Sequence, residues 1–309
     1  MRIVFVGAGG VGGYFGAKLA QAGAEVSLVA RGAHLDAIKR QGGLKIVTAA
    51  GESLAPVRAS DDPSKLGPAD LIGIATKLWD TESVIGQIAP LMTPATRVVS
   101  FQNGIEAPDM LREAFGAERV LGGIAQISTV ISEPGTIKQT GAFARLTIGT
   151  FGPTQDPVAV KFADLAKSTG VDVALSPDIS RSIWEKFVFL ASFAAITAVT
   201  RLPKGGVWSR EETRALFRAL VAEAVELARA EGIAFGDDQI DKVIANVEGM
   251  PDGMKASMLH DLEKGGRLEL PWLSGAVVRR SRAKGMAALS HAFVVAALAP
   301  YAEGRPSFR

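Results

Sequence analysis

Apolar and polar positions follow two patterns along the first half of the chain. Short apolar runs rich in valine and isoleucine are typical of strands buried on both faces of a parallel sheet. Segments with an apolar residue at every third or fourth position predict helices between them. The predicted strands lie at residues 3–6, 25–30, 71–75, 97–101 and 171–175, with β-like runs at 120–131, 135–139 and 144–149. The predicted helices include 34–41, 80–91 and 157–168. This alternation indicates a doubly wound α/β domain with an antiparallel extension.

The second half of the chain has an almost wholly helical pattern. Ser176-Pro177-Asp178 interrupts the first pattern, and predicted helices follow at 179–200, 210–231 and 237–247. A chain of 309 residues is long enough for two domains. We therefore predict an α/β domain over residues 1–178 and an all-α domain over residues 179–309.

The first predicted strand leads directly into a glycine-rich motif. Between a strand and a helix, the pattern G-x-G-x-x-G is typical of a turn that binds a dinucleotide, because the backbone can approach a pyrophosphate at the helix N-terminus. The motif reads Gly7-Ala8-Gly9-Gly10-Val11-Gly12. We interpret these residues as cofactor-binding and the first domain as Rossmann-type. A glycine-rich turn without a ligand is the alternative, since the chain contains 34 glycines.

The end of the second predicted strand indicates which cofactor binds. An NAD site usually has Asp or Glu there, which accepts a hydrogen bond from the ribose 2′-hydroxyl. This chain has Ala30-Arg31-Gly32 instead. A guanidinium can hold a 2′-phosphate, which a carboxylate would repel, so we predict NADP(H). A solvated arginine in a loop is the alternative for Arg31. We interpret the nearby His34 as a surface residue, with a place in the adenosine pocket as the alternative.

Composition and charge exclude several other classes of function. The formal charge of +2 comes from 34 basic and 32 acidic residues, which gives no argument for a nucleic-acid partner. The chain has no cysteine and three dispersed histidines, so we expect no metal site. The uncharged apolar run at 187–200 is shorter than the ~20 residues that span a membrane. We expect no membrane partner and a cytoplasmic location; the apolar segment 287–298 fits a core helix or a homodimer interface.

Lys186 is the natural candidate for a proton donor. It stands at the start of a very apolar predicted helix, with Leu190 and Ala194 four and eight positions further on the same face. Desolvation at such a surface would lower the pKa of the lysine toward a value suited to acid catalysis. The alternative is that the stem packs while the ammonium reaches water.

Four further residues are candidates for contacts with substrate or cofactor. Lys77 and Asn103 follow two of the predicted strands, where open α/β sheets bind ligands. Glu269 could hold the lysine or accept from a substrate hydroxyl, but the sequence alone favours a surface salt bridge with Arg267. Ser257 offers a hydroxyl to a substrate carboxylate.

Taken together, these segments resemble the ketopantoate reductase (2-dehydropantoate 2-reductase) family over most of the chain, up to about residue 280. The resemblance rests on the glycine motif and on Ala75-Thr76-Lys77, Gln102-Asn103-Gly104, Ile183-Trp184-Glu185-Lys186, Ser257-Met258-Leu259-His260-Asp261-Leu262, Gly266-Arg267-Leu268-Glu269 and Ser274-Gly275. It implies transfer of a hydride from NADPH to the C2 carbonyl of ketopantoate, which gives (R)-pantoate.

The resemblance also implies roles for individual residues. Lys186 would be the general acid and Glu269 its partner in the substrate site. Ser257 would contact the substrate, with Asn103 and Lys77 near the nicotinamide and the reacting carbonyl. Arg31 would hold the 2′-phosphate.

This chain departs from the family pattern where the substrate should bind. Family members typically carry asparagines four and eight residues after the lysine, where this chain has Leu190 and Ala194. An Asn-Gly further on is replaced by Lys204-Gly205. Two other functions therefore stay open: a D-2-hydroxy acid dehydrogenase for a more apolar 2-keto acid, and an NADP(H)-binding redox sensor without turnover.

Overall fold

The computed structural model describes residues 1–306, which form two compact units. The first unit contains Met1–Asn103 and Ala107–Ser182. The second contains Gly104–Glu106 and the described residues from Ile183 onward. The domain boundary after residue 178 stays a prediction.

A ten-stranded sheet forms the centre of the first unit. Its strands are β1 (Arg2–Val6), β2 (Glu25–Val29), β3 (Leu44–Thr48), β4 (Gly51–Ala55), β5 (Arg58–Ser60), β6 (Leu71–Ile74), β7 (Arg97–Ser100), β8 (Val120–Glu133), β9 (Thr136–Gly149) and β10 (Asp172–Leu175). The strand order is β4-β3-β9-β8-β7-β6-β1-β2-β5, and β10 also pairs with β9. Strands β5, β2, β1, β6, β7 and β8 run parallel, whereas β9 is antiparallel to β8. The predicted doubly wound sheet with an antiparallel extension is confirmed.

Helices cover both faces of this sheet. They are α1 (Gly10–Gln21), α2 (Gly32–Gln41), α3 (Thr81–Ile88), α4 (Ala107–Phe115) and α5 (Pro157–Lys167). Alternate residues of β1 belong to two different hydrophobic clusters, one on each face of the sheet. Ile3 and Phe5 pack with α1, α2 and α5, whereas Val4 and Val6 pack with α3 and α4. Because both faces are buried, the strand reads as a continuous apolar run rather than as an alternating one.

The sequence pattern missed the strands between α2 and β6. Strands β3 and β4 form a hairpin, β5 pairs with β2, and none of the three was predicted. Four of the five residues of β4 are exposed, so this edge strand carries almost no apolar signal. The runs predicted at 135–139 and 144–149 are one continuous strand, β9.

From Ile179 onward, every regular element that the structure describes is helical, as predicted. The helices are α6 (Ile179–Thr200), α7 (Lys204–Trp208), α8 (Glu211–Ala230), α9 (Gln239–Glu248), α10 (Ser257–Lys264), α11 (Ser274–Ala283) and α12 (Leu289–Leu298). Within the described residues, α6 alone is long and apolar enough to cross a membrane, but 67% of its most apolar window is buried in the protein. That burial is typical of a core helix.

Candidate active site

The glycine motif forms a tight turn between β1 and α1. Gly7 has φ +102°, and a Cβ there would lie 2.8 Å from the backbone of Ala75. A Cβ on Gly12 would collide with the carbonyl oxygen of Gly7. Both glycines are therefore required by the fold itself, one for the turn and the other for the close packing of α1.

Gly9 has a different environment from these two glycines. A Cβ on Gly9 would meet nothing within 4 Å, and its φ of −75° is open to any residue. The packing of the chain therefore does not require a glycine at this position. The close approach of a pyrophosphate to the backbone would require one. The first turn of α1 contains no acidic residue, so its N-terminus can accept an anion. These features fit the phosphates of a dinucleotide.

Arg31 lies where the adenosine end of a dinucleotide is expected. It is exposed and is the N-cap residue of α2, directly beyond β2. The first turn of α2 contains no acidic residue. Strand β2 neighbours β1 in the sheet, so Arg31 and the glycine motif follow adjacent parallel strands. A cation beside a helix N-terminus suits a phosphate group.

The interpretation of His34 as a surface residue is wrong. His34 is half-buried, and its ring bonds to the Ala8 carbonyl oxygen at 2.9 Å through Nε2. Its Nδ1 accepts a hydrogen bond of 3.0 Å from the Gly135 N–H, in the turn between β8 and β9. The sequence could not show this contact, because His34 and Gly135 are 101 positions apart.

Lys77 and Asn103 follow the neighbouring parallel strands β6 and β7, as predicted, and both are half-buried. Gln102 joins the two loops, a role that its position in the sequence does not indicate. Its side-chain amide donates to the Lys77 carbonyl oxygen at 3.1 Å and to Thr81 Oγ1 at 3.1 Å. Its Oε1 accepts from the Ser100 hydroxyl at 2.9 Å. Gln102 therefore links the segment after β6 to the end of β7.

In the second unit, Lys186 lies half-buried in α6. Burial lowers the pKa of its ammonium group from 10.5 to about 8, and the carboxylate of Glu269 opposes this shift. Leu190 is half-buried and Ala194 is fully buried, on the same face of the helix. The lysine therefore stands beside apolar side chains, with one negative charge close enough to favour its protonated form.

Glu269 is only 4% exposed, so it is not part of a solvated surface salt bridge. Arg267, the partner considered for it, forms an ion pair of 3.0 Å with Glu303. The Glu269 carboxylate raises the pKa of Lys186, so these two side chains lie close together within the second unit.

Two other positions singled out in the sequence also lie in the second unit. Ser257 is exposed and is the first residue of α10. Lys204 is buried, and its Nζ contacts Asp252 Oδ1 at 3.0 Å and the Glu248 carbonyl oxygen at 3.2 Å. These contacts attach the start of α7 to the end of α9 and to the turn that follows it.

Comparisons with known proteins agree with this architecture. The family model described as ketopantoate reductase PanE/ApbA matches residues 3–153, and the model of its C-terminal part matches residues 178–302. A 2-dehydropantoate 2-reductase of Mesorhizobium japonicum is 32% identical, over 91% of this chain and 92% of that protein.

Solved structures give the same result. A PanE/ApbA family ketopantoate reductase from Ralstonia eutropha JMP134 matches with a TM-score of 0.88 and 32% identity, over 98% of each chain. A D-mandelate dehydrogenase, solved with NADH and anilino(oxo)acetate, matches with a TM-score of 0.88 and 25% identity, over 98% of each chain. This chain therefore belongs to the ketopantoate reductase family of pyridine-nucleotide oxidoreductases.

Proposed function

We propose that this protein reduces a 2-keto acid to a 2-hydroxy acid with NADPH, and that the preferred reaction is ketopantoate to (R)-pantoate. The observation that carries the proposal is Lys186, a half-buried lysine whose pKa is lowered to about 8 beside a buried carboxylate. A proton donor of this kind is what carbonyl reduction requires besides a hydride. The relative from Mesorhizobium japonicum carries the name of this activity.

When bound, NADPH supplies the hydride for the carbonyl carbon. Lys186 donates a proton from its Nζ to the carbonyl oxygen as negative charge develops there. With a pKa of about 8, the lysine is mostly protonated at neutral pH, yet it releases a proton more readily than an ordinary lysine. The Glu269 carboxylate favours the ammonium form before transfer. Ser257 is proposed to bind the substrate, and Lys77 and Asn103 to orient substrate and nicotinamide.

The preference for NADPH over NADH rests on Arg31. Its guanidinium is exposed at the start of α2, and no acidic residue lies in the first turn of that helix. A 2′-phosphate can accept charge-assisted hydrogen bonds from this side chain, and no neighbouring carboxylate in this turn repels it.

Replacement of Lys186 tests the proposed reaction. Lys186→Ala should lower kcat with ketopantoate by a factor of about 100 or more and leave NADPH affinity unchanged, because only the proton donor is lost. The matched control is Lys242→Ala, which should keep full activity because Lys242 is a lysine of α9 with 59% side-chain exposure. A Lys186→Ala enzyme with normal turnover would remove the general acid from the proposal.

The apolar residues after Lys186 favour a second candidate substrate. Leu190 and Ala194 have no side-chain donor for a polar keto acid, at the two positions where the family resemblance implies asparagines. A bulkier, more apolar 2-keto acid would lose less from these replacements, since it has fewer polar groups that could be left unpaired. The structural similarity to a D-mandelate dehydrogenase supports this alternative. Relative kcat/KM values for the two kinds of substrate distinguish the candidates.

A further inference from the structure

His34 connects three segments of the first unit around the glycine motif. It lies in the first turn of α2, three positions after Arg31. Its ring contacts the Ala8 carbonyl oxygen on one side and the Gly135 N–H on the other. The glycine motif, the start of α2 and the turn between β8 and β9 are therefore joined through one imidazole.

The partners of His34 determine its tautomer. The Gly135 N–H can only donate, so Nδ1 must accept and carry no proton. The Ala8 carbonyl can only accept, so Nε2 must carry the proton and donate. Partial burial lowers the pKa of His34, which keeps the ring in this neutral form at neutral pH.

The bond to Ala8 also sets the direction of the next amide. In a trans peptide the C=O and the following N–H point in opposite directions. His34 holds the Ala8 carbonyl toward α2, so the Gly9 N–H points away from α2. The Ala8 N–H is fixed as well, because it donates to the Val29 carbonyl oxygen at 3.2 Å. A Cβ on Gly9 would meet nothing within 4 Å, so there is open space for a ligand beside this residue.

We propose that His34 is a positioning residue for the cofactor: its Nε2–H holds the Ala8–Gly9 peptide in the orientation that presents the Gly9 N–H to the cofactor pyrophosphate. This inference rests on the proposed binding of NADPH at the glycine motif. Without the bond, the peptide can rotate and turn its carbonyl oxygen toward the phosphates, which repel it. His34 then acts on cofactor affinity and takes no part in proton transfer.

Two substitutions separate the two hydrogen bonds of His34. His34→Gln can place an amide N–H near the position of Nε2 and so keep the donor to Ala8. His34→Asn can place an oxygen near the position of Nδ1 and keep the acceptor for Gly135, but it is too short to reach Ala8. His34→Ala removes both bonds. The Gln and Asn variants serve as matched controls for each other.

We expect the dissociation constant for NADPH, measured by titration calorimetry, to rise about threefold to tenfold in the Ala and Asn variants, as for one lost hydrogen bond. The Gln variant should bind within about twofold of the wild type. The KM for NADPH should follow the same order, whereas kcat at saturating NADPH should stay unchanged. In the ligand-free proteins, amide hydrogen exchange of residues 7–13 should be faster in the Ala and Asn variants than in the Gln variant.

Equal affinities in all the variants and the wild type would overturn the inference. Equal losses in the Gln and Asn variants would also overturn it, since a general packing defect would then explain the effect. A wild-type protein that binds neither NADPH nor NADH would contradict the proposed function instead. In that case the exchange rates of the ligand-free variants still decide whether His34 holds the Ala8–Gly9 peptide.

Discussion

The pH dependence of turnover should follow the protonation of Lys186. Its pKa of about 8 is lowered by burial from 10.5, and a general acid is active only while protonated. Above pH ~8, kcat/KM should therefore fall about tenfold for each pH unit. At pH ~9.5 about 3% of such a lysine is protonated, against about 90% of an ordinary lysine. The structure thus predicts about thirtyfold less activity at this pH than an exposed lysine would give.

The assay is steady-state oxidation of NADPH with the keto acid, from pH ~6 to pH ~10. Glu269→Gln keeps the shape of the side chain but removes the charge that raises the pKa of Lys186, so the fall in activity should begin at lower pH, by about one unit or more. Glu118→Gln, at a glutamate with 71% side-chain exposure, is the control and should not move the profile. Activity that stays constant up to pH ~10 in the wild type would refute the assignment of Lys186.

Three further predictions follow from the cofactor and substrate sites. Arg31→Ala should weaken NADPH binding about tenfold or more but leave NADH binding nearly unchanged; equal losses would contradict a 2′-phosphate contact. Gly9→Ala should leave the melting temperature unchanged and weaken NADPH binding, whereas Gly12→Ala should lower the melting temperature, because of these two glycines Gly12 alone has no room for a Cβ. Leu190→Asn should raise kcat/KM for ketopantoate relative to bulkier, apolar 2-keto acids, as competition assays can show.

Local sequence patterns predict those helices and strands whose conformation depends on residues that are close in sequence. Helix α6 has the predicted bounds, Ile179–Thr200, because a long apolar run between a Pro-Asp turn and Pro203 fits one buried helix. Strand β4 could not be predicted, since four of its five residues are exposed and its pairing with β3 determines its conformation. The pairing of β3 with β9 joins residues about ninety positions apart, beyond the reach of any local pattern.

The same division applies to the candidate site. The glycine motif could be placed from sequence because its turn, its helix and its preceding strand are consecutive. Gln102 and His34 contact partners 25 and 101 positions away, so composition and spacing could not show these hydrogen bonds. The apolar helix around Lys186 predicts the lowered pKa of this lysine, but the burial of Glu269 depends on the packing of the second unit.

The most direct test of the proposed function is NADPH oxidation with ketopantoate, measured beside a panel of bulkier, apolar 2-keto acids. We predict saturable turnover of ketopantoate with a kcat/KM at least equal to that of any acid in the panel. Strong turnover of an apolar acid beside weak turnover of ketopantoate would contradict the proposed substrate and favour the second candidate. Tight NADPH binding without turnover of any 2-keto acid would contradict the reductase itself and indicate a sensor of NADP(H).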